Sequence, residues 1–268
     1  MQAAAYDTIY ISPHLDDAAL SCGGQIFQQT KRGERVLVVT IAAGAPQTEI
    51  RSPFAQFLHH HWGLEAGEAV AVRRAEDAAA CKRLGADYLH WTLPDAIYRL
   101  HPQHGEPLYT SNEAIFGALH AAEESLIVEI SLFLSRLPYG KCVAAPLGAG
   151  NHVDHQLARA AAERVWRTSL LYFEDYPYVQ RDPQELARLV QPPEAWRSYL
   201  VTLSHTALVA RLEAMAAYRS QIGSLFNDAV TMESALISEL ARTGGERLWQ
   251  RAGADIVPMR YGQARSAA

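Results

Sequence analysis

The chain has 268 residues, 49% of them hydrophobic and 20% charged, with a formal net charge of −5. This is apolar material for one large α/β domain, and no Pro/Gly/Ser-rich linker or charge block divides it. An acidic balance without a basic patch argues against a nucleic-acid binder, and no apolar run is long enough to span a bilayer.

The first residues, Met1-Gln2-Ala3-Ala4-Ala5, lack the basic and apolar regions of a signal peptide. Residues 6–12 carry Ile9, Tyr10 and Ile11 in a β-favouring run that stops at Ser12-Pro13. From Asp16 onward, small and apolar residues predict a helix packed on a sheet. Between the two stand His14, Asp16 and Asp17, at the strand end where open α/β sheets bind ligands. Gly33 fits a helix C-cap. The continuous Val/Leu/Ile content of residues 34–44 predicts a strand buried on both faces, as in a parallel sheet.

Residues 45–67 read as irregular and too long for a mere connection, so they are expected to wall or cover a site. The run His59-His60-His61 within them has no carboxylate at ligand spacing and reads as solvated. A helix is predicted over 68–84, closed by Gly85, and a short strand over 87–91. A second irregular stretch, 93–112, holds Asp95, Tyr98, Arg99, His101 and His104.

Helices over about 111–119 and 123–137 lead to a strand at 141–146. A second polar patch follows, Gly148-Ala149-Gly150-Asn151-His152-Val153-Asp154-His155, and then a helix over 157–165. The strand at 169–173 is followed on the same edge of the sheet by Glu174, Asp175, Tyr176 and Tyr178, whose tyrosines suit either the aromatic walls of a sugar site or ordinary packing. A β-run at 196–203, one long helix over 205–226 and a shorter one over 232–241 complete the chain. The alternation of strands and helices predicts a doubly wound α/β fold. Cys22, Cys81 and Cys142 form no CxxC pair and read as small buried hydrophobes, which makes a cytoplasmic location the expectation.

Asp16-Asp17 alone would read as a helix N-cap pair. Two polar patches at two strand ends of one parallel sheet can meet, however, and His, Asp and His match a catalytic zinc site: three protein ligands plus water. The same donors admit Fe2+, Co2+ or Mn2+. His152 and His155 share one side of a helical turn, so that one can ligate while the other reaches substrate.

Pro13-His14-Leu15-Asp16-Asp17, followed by Cys22-Gly23-Gly24, resembles the first motif of the LmbE/PIG-L family of zinc-dependent de-N-acetylases. His152-Val153-Asp154-His155 resembles the second motif. The resemblance covers about residues 5–180, and beyond them only Tyr218-Arg219-Ser220-Gln221. It implies a Rossmann-like, mostly parallel sheet with helices on both faces. It also implies a single domain over 1–268, with its core at about 5–180 and a C-terminal helical segment at about 205–242.

The same resemblance assigns His14, Asp17 and His155 to Zn2+ and Asp16 to the general base. His152 becomes the acid that stabilises the oxyanion or protonates the leaving amine. Arg73 suits either a substrate clamp, as in relatives, or an arginine on the helix surface, and Asp95 lies in a loop expected to contact substrate. The expected substrate is a small N-acetyl amino sugar or glycoconjugate, with no nucleic-acid partner; the chain is open to being a homo-oligomer. Some members carry a tyrosine two residues before the second-motif histidine. Here that residue is Gly150, so help for the oxyanion must come from His152, the metal or another loop. The rival readings are a zinc amidase acting on a non-sugar amide or thiol conjugate, and a non-catalytic sugar- or nucleotide-binding module. The absence of G-x-G-x-x-G from the first strand–helix turn weakens a dinucleotide reading.

Overall fold

The computed structural model describes residues 5–46, 52–62, 66–254 and 265–266. Residues 1–4, read above for a leader, and 47–51 and 63–65 of the first irregular stretch lie outside the described residues. The strands are β1 (Tyr6–Ser12), β2 (Val36–Thr40), β3 (Asp87–His90), β4 (Gly140–Pro146), β5 (Leu171–Phe173), β6 (Trp196–Val201), β7 (Glu246–Arg251) and β8 (Arg265–Ser266). The helices before β4 are α1 (Asp17–Lys31), α2 (Pro53–Trp62), α3 (Ala66–Leu84), α4 (Asn112–Ile115) and α5 (Glu124–Leu134). After it come α6 (Val153–Trp166), α7 (Tyr178–Arg181), α8 (Pro183–Leu189), α9 (His205–Met215), α10 (Arg219–Phe226) and α11 (Ala229–Thr243).

One sheet runs through the molecule in the order β3-β2-β1-β4-β5-β7-β6-β8. From β3 to β5 every pairing is parallel, and β7, β6 and β8 add antiparallel neighbours. The chain moves outward from β1 through β2 to β3, then crosses back to β4 and β5. The topological switch point therefore lies between β1 and β4, where a crevice opens outside the strand ends. Both histidine-bearing loops leave the sheet there.

Side-chain alternation sorts the core into two layers. Ile9, Ile11, Leu37, Val39 and Val143 pack with Ile130 and Leu134 of α5 and Leu157 and Ala161 of α6. Tyr10, Val36, Val38 and Phe173 face the other way, onto Cys22 and Ile26 of α1, Ala80 and Leu84 of α3, and Ala214 of α9. Helices thus cover both faces, as the resemblance implied.

The pair Gly23-Gly24 lets the C-terminal segment reach α1. A Cβ at Gly24 would lie 2.4 Å from Leu203 Cδ1 and 2.9 Å from Glu246 Oε1. With no side chain there, the buried Glu246 carboxylate accepts the N–H groups of Gly24 and Gln25, each at 2.8 Å, and pairs with Arg211 at 3.0 Å.

Several sequence expectations need correcting. The first irregular stretch contains α2, whose Ala55 and His59 are buried. The helix expected over 205–226 is two, α9 and α10, separated by Ala216-Ala217-Tyr218, because the Tyr218 hydroxyl is drawn inward onto Asp77 at 2.7 Å. The helix expected over 111–119 is the single turn α4. Strand β7 was not foreseen, because its six residues follow a helix and a Gly244-Gly245 turn and are short enough to pass as a tail.

Candidate active site

The loop after β1 spends its polar groups with economy. Ser12 Oγ accepts the Ala18 N–H at 3.0 Å, and Asp17 Oδ2 accepts the His14 N–H at 2.8 Å. Asp16 occupies the N-cap of α1, yet its carboxylate makes no capping hydrogen bond. Neither carboxylate is therefore spent on capping α1. After β4, the turn through Gly148, Gly150 and Asn151, all with positive φ, carries the chain into α6, and His152 Nδ1 caps that helix by accepting the Asp154 N–H at 3.2 Å.

His14, Asp17 and His155 converge. His14 Nδ1 and His155 Nε2 lie 3.2 and 3.3 Å from Asp17 Oδ2, and the three donor atoms fall within 4.8 Å of one another. The outer nitrogen of each histidine is held from behind: His14 Nε2 by Asp154 Oδ2 at 3.0 Å, and His155 Nδ1 by Asp175 Oδ1 at 2.7 Å. Such partners fix the tautomer and aim the inner lone pair at a metal. His155 Nε2 is buried with no hydrogen-bond partner, which would be costly unless a metal takes it. The donor set and the orphaned nitrogen fit a zinc ion.

Charge follows this geometry. Burial alone would disfavour the His155 cation, but the Asp17 charge 3.3 Å away and the hydrogen bond to Asp175 outweigh it and raise its pKa to about 9. His14 is raised likewise, its burial opposed by Asp154 and Asp17. Burial would raise Asp17, yet the neighbouring histidines hold it well below the usual carboxylate range. Asp16 is different: burial, then the Asp17 charge, push it up to about 7, against the pull of Arg73. His152 is lowered well below an ordinary histidine, first by burial and then by His14.

A cavity of about 470 Å³ opens over this cluster. Of the residues the sequence singled out, His14, Asp16, Asp17, Arg73, Asp95 and His152 line it, and His155 lies buried beneath. The Arg73 guanidinium is 3.8 Å from both Asp16 Oδ2 and Asp95 Oδ2 and sits over the Trp62 ring, so it belongs to the site rather than to an exposed helix surface. Gln221 and Tyr178 also line the cavity. His101 and His104 do not; they stack on each other away from it, 4.5 Å between centroids.

His59 is not solvated as expected. It is buried, and its Nε2 lies 2.8 Å from the Tyr98 hydroxyl, tying α2 to the 96–98 turn; His60 is exposed. Sequence reasoning also passed over Asp154, Arg99 and Glu123. Arg99 Nη1 pairs with Asp154 Oδ1, and its Nε and Nη2 pair with Glu123. Asp154 also accepts the Ala96 N–H at 3.0 Å. This buried network braces His14 from outside, and the Asp154 within the second motif was the one signal for it. Asp175, which the sequence places only at the end of a strand on this edge of the sheet, turns inward to His155 and to the Gly148 and Ala149 N–H groups.

Comparison with known proteins agrees with the geometry. The family described as PIG-L, GlcNAc-PI de-N-acetylase, matches residues 9–166. The 2'-N-acetylparomamine deacetylase of Niallia circulans is 27% identical over 235 residues, covering 82% of each chain. The zinc-inhibited form of teicoplanin deacetylase superposes with a TM-score of 0.77 at 28% identity, covering 94% of this chain and 100% of that one. The A40926 pseudoaglycone deacetylase gives 0.71 at 27%, covering 94% and 99%. The match spans more than half of the sequence and contains both histidine motifs, so the chain belongs to the PIG-L family of de-N-acetylases.

Proposed function

We propose that His14, Asp17 and His155 hold the zinc ion of a de-N-acetylase, and that Asp16, His152, Arg73 and Asp95 act on an N-acetyl amino sugar. The observation that carries this is the convergence of three metal-type donors under one cavity, with a carboxylate beside them that neither caps a helix nor forms a hydrogen bond to them. The relatives, by their names, deacetylate N-acetylparomamine and teicoplanin, which supports an amino sugar within a larger molecule as substrate.

A zinc ion bound there supplies a Lewis acid that polarises the amide carbonyl and brings water's pKa from about 15.7 to about 7. Asp16, with its pKa near 7, takes a proton from the attacking water and can return it to the departing nitrogen. Arg73 restrains Asp16 on its outer side. His152 is neutral with Nδ1 occupied by the Asp154 N–H, so its own proton is on Nε2, which suits the oxyanion role better than that of a cationic acid. Asp95 and Arg73 meet on the cavity wall, where a sugar's hydroxyls find both an acceptor and a donor.

One catalytic domain is supported by β7, which sits between β5 and β6, and by Glu246, which reaches into α1. Its three cysteines are free and buried, which supports a reducing compartment. Among the described residues no helix is long and apolar enough to cross a membrane. A panel of N-acetyl amino sugars and simple N-acetyl amides tests the reading. Acetate release confined to the sugars supports it, and preference for the simple amides transfers the site to an amidase.

A further inference from the structure

Amide hydrolysis turns a neutral carbonyl oxygen into an anion, and a preorganised donor aimed at that oxygen accelerates the reaction strongly. The Tyr178 ring stands beside the metal-ligand cluster. Its centroid is 5.7 Å from that of His155, edge-on, and 5.8 Å from that of Phe116. It presses on Gly150 so closely that a Cβ there would lie 2.6 Å from Tyr178 Cγ, and Gly150 has φ +82. The space beside the second motif is therefore filled from a different loop, the one after β5. Tyr178 is half-buried and lines the cavity beside His152, Asp16 and Asp17, with its hydroxyl engaged in none of the side-chain hydrogen bonds of the surrounding described residues and so left open to a ligand there.

We propose that Tyr178 is a catalytic residue that donates its phenolic O–H to the acetyl oxygen as that oxygen becomes an oxyanion. The assignment rests on the deacetylase reading above. The water oxygen bonds to the carbonyl carbon, the C=O π pair moves onto oxygen, and Asp16 takes the water proton. Tyr178 O–H and His152 Nε2–H both donate to the new oxyanion. On collapse the pair returns to re-form C=O, the C–N bond breaks with its electrons on nitrogen, and nitrogen takes the proton from Asp16. The remaining carboxylic proton is lost to solvent, leaving acetate and the free amine.

Tyr178→Phe keeps the ring against Gly150, His155 and Phe116 and removes only the hydroxyl. The expected result is a fall in kcat of about 100-fold, the lower end for losing one oxyanion donor. KM and zinc stoichiometry stay unchanged. A methylphosphonamide analogue of the substrate, which presents tetrahedral oxygens, should bind the variant more weakly by a similar factor, because the lost contact belongs to the transition state. A kcat within about threefold of the unaltered chain, or a loss confined to KM, overturns the assignment while leaving the deacetylase reading intact. If the unaltered chain releases no acetate from any N-acetyl amino sugar, the deacetylase reading fails and takes the Tyr178 role with it.

Discussion

Asp175 Oδ1 lies 2.7 Å from His155 Nδ1, and Asp175 Oδ2 accepts the Gly148 and Ala149 N–H groups at 2.7 and 2.9 Å. One buried carboxylate thus orients a metal-type histidine and also pins the loop that carries it. Asp175→Asn should lower zinc affinity by about 10- to 100-fold, the usual effect of losing a metal site's supporting partner. Competition against a chromophoric chelator measures it, with circular dichroism to confirm the fold. An unchanged affinity would mean that the turn alone orients His155.

Asp16 and Asp17 are adjacent but differently employed, and their variants should separate. Asp16→Asn should retain zinc and lose about 10²- to 10⁴-fold in kcat, the range for a general base. Asp17→Ala should lose zinc itself. Metal analysis and turnover on the same preparations distinguish the two.

Zinc affinity should rise with pH. His155 titrates at about 9 and His14 is also raised, so at pH 6 both carry protons that a metal must displace. Each displaced proton tightens apparent binding by up to about tenfold per pH unit until pH passes the folded-state pKa. Calorimetry in buffers of differing ionisation enthalpy should detect net proton release at pH 7. In metal-free protein the sign reverses. The raised histidines favour the folded state below their unfolded value of about 6.5, and that stabilisation fades as pH climbs toward 9.

Gly24 is the contact through which α1 meets the C-terminal segment. Gly24→Ala must displace Leu203 and the Glu246 carboxylate, and the expected cost is about 1–3 kcal/mol, partly offset by alanine's helix propensity of about 1 kcal/mol. The melting temperature should fall by a few degrees, with zinc content retained. A rise would show that Leu203 swings aside freely.

What was legible in the sequence is local. Residues 12–17 and 148–156 each carry their chemistry within a few positions, and the hydrophobic runs of β1, β2 and β4 announce a buried parallel sheet. What was hidden depends on distant partners. Arg99 reads as a loop arginine until Asp154, 55 residues on, and Glu123 enclose it. Tyr178 reads equally as a sugar-site wall or as packing until Gly150 is seen to make room for it. The α9–α10 break is invisible because Tyr218 fits a helical stripe, and only the buried Asp77 at 2.7 Å draws it out of register. His59 reads as solvated because its partner, Tyr98, lies 39 residues away.

The most direct test of a zinc centre here is acetate release from an N-acetyl amino sugar by the purified chain, followed through chelation and re-addition of one equivalent of zinc. Release should stop in the metal-free protein and return with the single equivalent. Release that continues undiminished without metal would contradict a zinc centre at His14, Asp17 and His155.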